Sequence, residues 1–362
     1  MTNNRQPSTR RQVLKSSLAT TAAVPFLATP AIAQTDKVYR FRMQSIYTPG
    51  ETGFKGTLTS FVNRVNRMSN GRIEIKLFSG GELVPAAETT QAVSRGIIDM
   101  GASAASYITG IESAPFSFQL PQGPRSAEDL MIVWEKGLKD LATAAYDRQG
   151  VQLLGMMMVG DIPLYSSKPV RSLADFEGLK IRTNPVLSIF SKELGAANVF
   201  IPGAEVYLAL SNGTVDAATW GTYSTMIDKK WHEVTKYVIQ PPLVYAFLND
   251  DITINKDKFA ELPEDLQEIL LSAARSATWE LYLGNMLGNV PAWEEMQKAG
   301  VEVINLPQED VDQMVVKAQV VWDDLASRGD DAYAGVKIVT DYMRSKGYTD
   351  YDLTKRAVTV KK

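Results

Sequence analysis

Cysteine is absent from this 362-residue chain, and histidine occurs once, at His232. No disulfide, thiol nucleophile or zinc–thiolate site is therefore available. A single histidine excludes His-pair metal motifs and leaves a Ser–His relay without support. There is no Gly-rich phosphate loop. Beyond the N-terminal region, no apolar run approaches the roughly 18 residues of a membrane span. Positive charge is not in excess either: 38 Lys and Arg stand against 41 Asp and Glu, a formal charge of −3. That balance argues against nucleic acid and anionic lipid as partners.

What is present begins with an export pattern. Arg10-Arg11 and Lys15 precede a mild apolar run, Leu18 to Ala28, and then Ala31-Ile32-Ala33. A charged, an apolar and a small-x-small segment in that order read as a cleaved signal, and the paired arginines resemble a twin-arginine one. Residues 1–33 are thus expected to be a signal peptide and the mature protein to be exported, periplasmic and not membrane-embedded. Cleavage removes Arg5, Arg10, Arg11 and Lys15 and no acid, which takes the charge from −3 to −7. An anionic ligand then needs a local cation.

Periodicity along the chain predicts alternating strands and helices. Strands are expected at Tyr39 to Ser45, Arg72 to Phe78, Ile97 to Gly101, Val151 to Met157, Lys180 to Thr183, Asn198 to Pro202, Val215 to Trp220 and Leu243 to Ile254. Helices are expected around Leu58 to Val65, Glu88 to Arg95, Ala127 to Tyr146, Val186 to Leu194, Tyr223 to Lys236, Pro263 to Lys298 and Val311 to Arg328. Pro291 is expected to kink or interrupt the longest. The basic tail, Thr354 to Lys362, is expected to lie loose. The pattern E-x7-G-x2-D occurs twice, at Glu88-Gly96-Asp99 and Glu205-Gly213-Asp216. Glycine stops a helix in each, and a strand follows. The repeat predicts two lobes of one construction, with Asp99 and Asp216 structural.

Strand–helix–strand units build parallel sheets, and ligands gather at the carboxyl ends of their strands. Arg182 and Trp220 fall at such ends within Gly178 to Tyr223. A fixed cation facing a large aromatic suits a small organic anion. Tyr47, Tyr107, Tyr223 and Asn249 fall where strands or turns face a cleft, and their polar groups suit directional hydrogen bonds. Asp161 is a candidate acceptor for a ligand amine or hydroxyl. Asp250 and Asp251 read as solvated turn residues.

The series G-L-K-I-R-T, L-G-A, E-V-Y-x-A-L-x-x-G-x-V-D and H-E-V-x-K-Y, from Gly178 to Tyr237, resembles the DctP-type solute-binding proteins of TRAP transporters (family 7 extracellular solute-binding proteins). The resemblance implies an α/β, two-lobed periplasmic binding protein type II-like fold, with a hinge and a long helix spanning both lobes. It implies lobe 1 over 34–155, lobe 2 over 156–245, and a return strand, long kinked helix and C-terminal helices over 246–362. It implies a receptor, not an enzyme, that hands its ligand to membrane permease subunits, as monomer or dimer. An exported enzyme acting on a small organic acid, or a receptor for a sensor or ATP-driven importer, is the alternative. Arg182 matches the arginine that holds the substrate carboxylate in that family. Two departures follow. Members that bind 2-oxo monocarboxylates tend to carry Glu-Trp where this chain has Thr219-Trp220, so the acid that helps bind a cation is missing, and no metal or cofactor is expected. Many C4-dicarboxylate members carry G-F-R where this chain has Gly160-Asp161-Ile162, so one arginine is missing. One fixed cation suits a monocarboxylate, such as a 2-oxo or 2-hydroxy acid.

Overall fold

The computed structural model describes residues 37–108 and 120–360, without the side chains of 246–249. The signal-peptide expectation lies outside the described residues. Strands β1 (Tyr39–Ser45), β2 (Ile73–Phe78), β3 (Met100–Ala104), β4 (Val151–Ser166), β5 (Lys180–Arg182), β6 (Ala197–Val199), β7 (Ala217–Ala218) and β8 (Tyr237–Asn255) form one sheet in the order β2-β1-β3-β8-β4-β7-β5-β6. A further strand, β9 (Glu302–Asn305), pairs parallel to β8.

This order divides into two matching halves. β1 sits between parallel β2 and β3, and β5 sits between parallel β6 and β7. The repeated aspartates do the same work in each. Asp99 accepts the Arg42 backbone N–H of β1 at 2.7 Å, and Asp216 accepts the Lys180 N–H of β5 at 3.1 Å. β4 and β8 pair antiparallel along their length and run from one half into the other. β4 is thus much longer than the expected 151–157, and Gly160-Asp161 lies within it. Gly160 has a φ of +108°, one of several register shifts between β4 and β8 from Leu153 to Leu164. Pro241 and Pro242 do not end β8, because pairing skips from Leu164–Ile239 to Ile162–Val244 and asks no N–H of them.

Helices α1 (Thr59–Met68) and α2 (Thr89–Ser94) serve the first half; α5 (Pro185–Glu193), α6 (Val206–Ser211) and α7 (Tyr223–Asp228) serve the second. Between them, α3 (Ala127–Val133) and α4 (Lys139–Arg148) replace the single expected helix, which breaks at Gly137 with a φ of +133°. A short α8 (Lys256–Ala260) leads to α9 (Glu264–Lys298), whose 35 residues span about 52 Å. α9 runs through Pro291 without interruption. The carbonyl freed four residues earlier belongs to Leu287, the most exposed apolar residue of that stretch at 74 %, so water can satisfy it. Ala274, Ala277, Thr278, Leu281 and Asn285 form the buried stripe of α9 against β4.

Behind the sheet, α10 (Gln308–Ala326) and α11 (Asp330–Ser345) bury Trp322, whose indole N–H reaches the Pro121 carbonyl at 3.0 Å. α11 has no counterpart among the helices expected from periodicity, and falls in the stretch where the resemblance implied C-terminal helices. The tail is tied at Arg356, whose guanidinium meets Asp323 at 2.6 Å. β3 begins three residues later than expected, because Ile97 and Ile98 close the α2 turn onto the Ala92 carbonyl. Among the described residues, no helix is long and apolar enough to cross a membrane.

Candidate functional site

Carboxyl ends of strands from both halves meet around one cavity. β1 delivers Tyr47 and Glu51, β3 delivers Tyr107, β5 delivers Arg182 and Asn184, and β7 delivers Thr219 and Trp220. β8 adds Asp250, and α9 adds Leu281 and Asn285. The cavity holds about 50 Å³ of space for the centres of water-sized spheres. One water needs roughly 10–15 Å³ on that measure, so the space suits a ligand of a few heavy atoms.

Arg182 is the chemical centre of this cavity. Its β5 strand is three residues long, and Asn184 then caps α5 by accepting the Leu187 N–H at 2.9 Å. The Arg182 side chain is 2 % exposed. Nε donates to the Ile201 carbonyl at 2.7 Å, Nη1 to the Thr219 carbonyl at 2.6 Å, and Nη2 to the Tyr107 hydroxyl at 3.4 Å. A guanidinium has five N–H groups, so one remains on Nη1 and one on Nη2. That is the fork a carboxylate takes in bidentate fashion. Among the described residues, no carboxylate forms an ion pair with Arg182. Burial lowers its pKa from the ordinary value, and Tyr107 opposes the shift.

Trp220 stands over that cation. The Arg182 guanidinium lies 5.0 Å from its ring centroid, within cation–π range. Gly203 makes room for the ring: a Cβ there would lie 2.3 Å from it. The Trp220 N–H donates to Glu51 at 2.9 Å. Tyr47 donates its hydroxyl to Asp250. Burial first, and Asp250 second, hold the Tyr47 phenol well above its usual pKa. Burial likewise raises Tyr107, although Arg182 pulls it down. Both hydroxyls remain protonated donors at neutral pH.

Of the residues singled out in the sequence, Arg182, Trp220, Tyr107, Thr219 and Tyr47 come together here. Asp161 does not: it is exposed on β4, outside the cavity lining. Tyr223 does not either. It accepts from the Gln240 amide and packs edge-on against Trp293 at 5.7 Å. The Asn249 side chain lies outside the described residues. Asp250 and Asp251 are not solvated turn residues. Both lie buried on β8, where Asp251 takes the Tyr146 hydroxyl at 2.6 Å and the Ser103 N–H at 3.1 Å.

Glu51, Asn184, Asp250 and Asn285 are cavity residues that sequence reasoning missed. Asn184 carried a signal, since Asn-Pro after a strand end marks a helix cap. Asn285 carried one too, as a polar residue in the apolar register of α9. It donates to the Val159 carbonyl at 2.8 Å. Among the described residues, no three acids or histidines are grouped to hold a metal ion.

A family model described as bacterial extracellular solute-binding protein, family 7, matches residues 43–328. A monocarboxylate 2-oxoacid-binding periplasmic protein of Nostoc sp. is 26% identical over 314 residues, covering 83% of this chain and 84% of that protein. A TRAP transporter solute-binding protein of Bordetella bronchiseptica, a mixed-occupancy dimer with copurified calcium and picolinate, superposes with a TM-score of 0.80 at 22% identity, covering 86% of this chain and 93% of that one. A TRAP periplasmic solute-binding protein of Colwellia psychrerythraea with bound calcium and pyruvate gives a TM-score of 0.79 at 24% identity, covering 86% and 96%.

Proposed function

Since the chain belongs to the family 7 extracellular solute-binding proteins that serve TRAP transporters, and is therefore a receptor and not an enzyme, we propose that it captures a small organic monocarboxylate between its two lobes. The observation that carries this reading is the buried Arg182 fork, with one N–H left on each terminal nitrogen. A ligand carboxylate takes those two donors, with its apolar part against Trp220. A second ligand carboxylate is disfavoured, because Glu51 and Asp250 line the same cavity and like charges brought together cost several kcal/mol. The cavity volume supports a C3 to C5 acid, and the names of the Nostoc and Colwellia proteins point to the same class.

Two related structures carry bound calcium as well as an organic acid, picolinate or pyruvate. Two features of the cavity argue against a cation here. Thr219 stands beside Trp220, and both Glu51 oxygens are engaged, one by Thr48 and Lys229 and the other by Trp220. Ligand binding without a cation is the reading this donor set supports.

The lobes in this reading are 34–155 and 156–245, with 246–362 returning across both. They turn about β4 and β8, whose bulged middle stretch is the compliant part of the sheet. Export by the twin-arginine signal, residence in the periplasm and delivery to membrane permease subunits complete the proposal. Mass spectrometry of small molecules released on denaturing the purified protein tests the ligand class. A thermal-shift series of monocarboxylates and matched dicarboxylates follows, and a ligand at a hundred times its Kd adds about 2.7 kcal/mol. Tighter binding of dicarboxylates across the series would overturn the monocarboxylate reading.

A further inference from the structure

Besides the groups that face a ligand, the two halves meet through a charged contact at the edge of the cavity. Glu51 stands in the turn after β1. Its Oε1 accepts from the Thr48 N–H at 2.7 Å and the Thr48 hydroxyl at 2.9 Å, so its own turn orients the carboxylate. The same oxygen meets the Lys229 ammonium at 3.0 Å, and Oε2 takes the Trp220 indole N–H at 2.9 Å. Lys229 closes α7 and Trp220 follows β7, so both partners belong to the other half. The Glu51 and Lys229 side chains are only 4 % and 8 % exposed. One helical turn along, Lys55 meets Asp228 at 3.5 Å with the polarity reversed, in a more exposed setting. The Lys229 ammonium also lies 5.1 Å from the Trp220 ring centroid.

We propose that the Glu51–Lys229 pair is a latch that joins the two halves, and that Lys229 is a positioning residue for Trp220. Lys229 does not line the cavity and acts on a ligand only through this pair and the indole. With the halves together, the Glu51 charge is withdrawn from water and answered by Lys229. With the halves apart, both groups hydrate. Removing Lys229 alone therefore strands a buried carboxylate in the joined arrangement and costs nothing comparable in the separated one. The indole loses its place in the same event, because its acceptor turns to water. The latch thus biases the halves toward each other before any ligand contributes, and ligand affinity follows that bias.

The inference concerns the site of the receptor reading above, but its test needs no ligand. The chain has no cysteine, so Arg67→Cys on α1 and Lys192→Cys on α5, both at exposed positions, take a clean pair of spin labels. Distances between the labels are measured by pulsed electron resonance on dialysed protein with no added ligand. The latch predicts a short-distance population in the otherwise unaltered protein. Lys229→Met lowers its ratio to the long-distance population at least tenfold. Adding Glu51→Gln to Lys229→Met restores most of it, because no charge is then stranded. Asp228→Asn, in the exposed pair, changes the ratio less than twofold. Circular dichroism and thermal unfolding check that each variant folds, and Lys229→Gln serves in place of Lys229→Met if that variant does not. A Lys229 variant with an unchanged distribution overturns the latch. So does a double variant as shifted as the single one, since that outcome assigns the effect to packing of the lysine stem. Failure of every monocarboxylate to bind would sink the ligand reading and leave the distance result standing.

Discussion

Replacing Arg182 by alanine removes the two N–H groups available to a ligand and three bonds that hold the site. Loss of one partner from a buried, hydrogen-bonded charge pair costs about 2–5 kcal/mol of binding. That corresponds to a Kd raised roughly 30-fold to 5,000-fold. The structure favours the upper part of this range, because the guanidinium is buried and no described carboxylate competes for it. A separate loss falls on folding. The Ile201 and Thr219 carbonyls each lose a donor, and a buried acceptor left unsatisfied costs about 1–3 kcal/mol. Binding and stability must therefore be measured apart. Isothermal titration with the ligand identified by mass spectrometry gives the first, and urea unfolding gives the second. Arg182→Lys keeps the charge and loses the fork, so its Kd is expected between wild type and Arg182→Ala. Wild-type affinity in the folded Arg182→Ala protein would refute the assignment of the guanidinium to the ligand.

Other perturbations follow from single contacts. Gly203→Ala drives a Cβ into the Trp220 ring and is expected to cost about 1–3 kcal/mol by overpacking, read as weaker binding in a protein that still unfolds cooperatively. Trp220→Ala removes the nearer of two cation–π partners of Arg182, and titration should show a loss of about 1–2 kcal/mol in binding; unchanged affinity would remove Trp220 from the site. Burial raises the Asp251 carboxyl to about 6 in the folded protein, against about 3.9 unfolded. The folded state then holds this proton while the unfolded state has released it, so the group lowers stability as pH rises from about 4 to about 6, by about 3 kcal/mol in all. Urea unfolding at pH 4.5 and 6.5 is expected to show that slope, and Asp251→Asn is expected to flatten it. An identical slope in the variant would mean that other groups carry it.

The placement of Arg182 was legible because β5 is a short parallel strand, and its last residue faces the cavity whatever surrounds it. Tyr47, Tyr107, Thr219 and Trp220 were legible for the same reason, as residues at or just past strand ends. Asp161 was misplaced because the expected strand stopped at Met157, while the chain continues through Gly160-Asp161 as a strand with a bulge. Asp250 and Asp251 misled in the same way. Two adjacent acids suggest solvent, yet β8 is flanked on both sides by strands and packed on both faces, so each acid finds a tyrosine hydroxyl instead. The unbroken α9 shows the converse case. Local chemistry at Pro291 argues for a break, and contacts with both halves hold the helix together.

Local chemistry along the chain was enough to place most of the strands, though not β9 or the full length of β4 and β8, and to show where glycine ends the helices and that the two halves repeat one design. These depend on neighbours a few residues away, through periodicity and capping. Which side chains share the cavity depended on β4 and β8 crossing between the halves, and that pairing joins residues more than seventy positions apart. The meeting of Glu51 with Trp220 and Lys229 is of the same kind. No spacing in the sequence announces it, because burial and opposite charge act only once the folded chain has brought the two halves face to face.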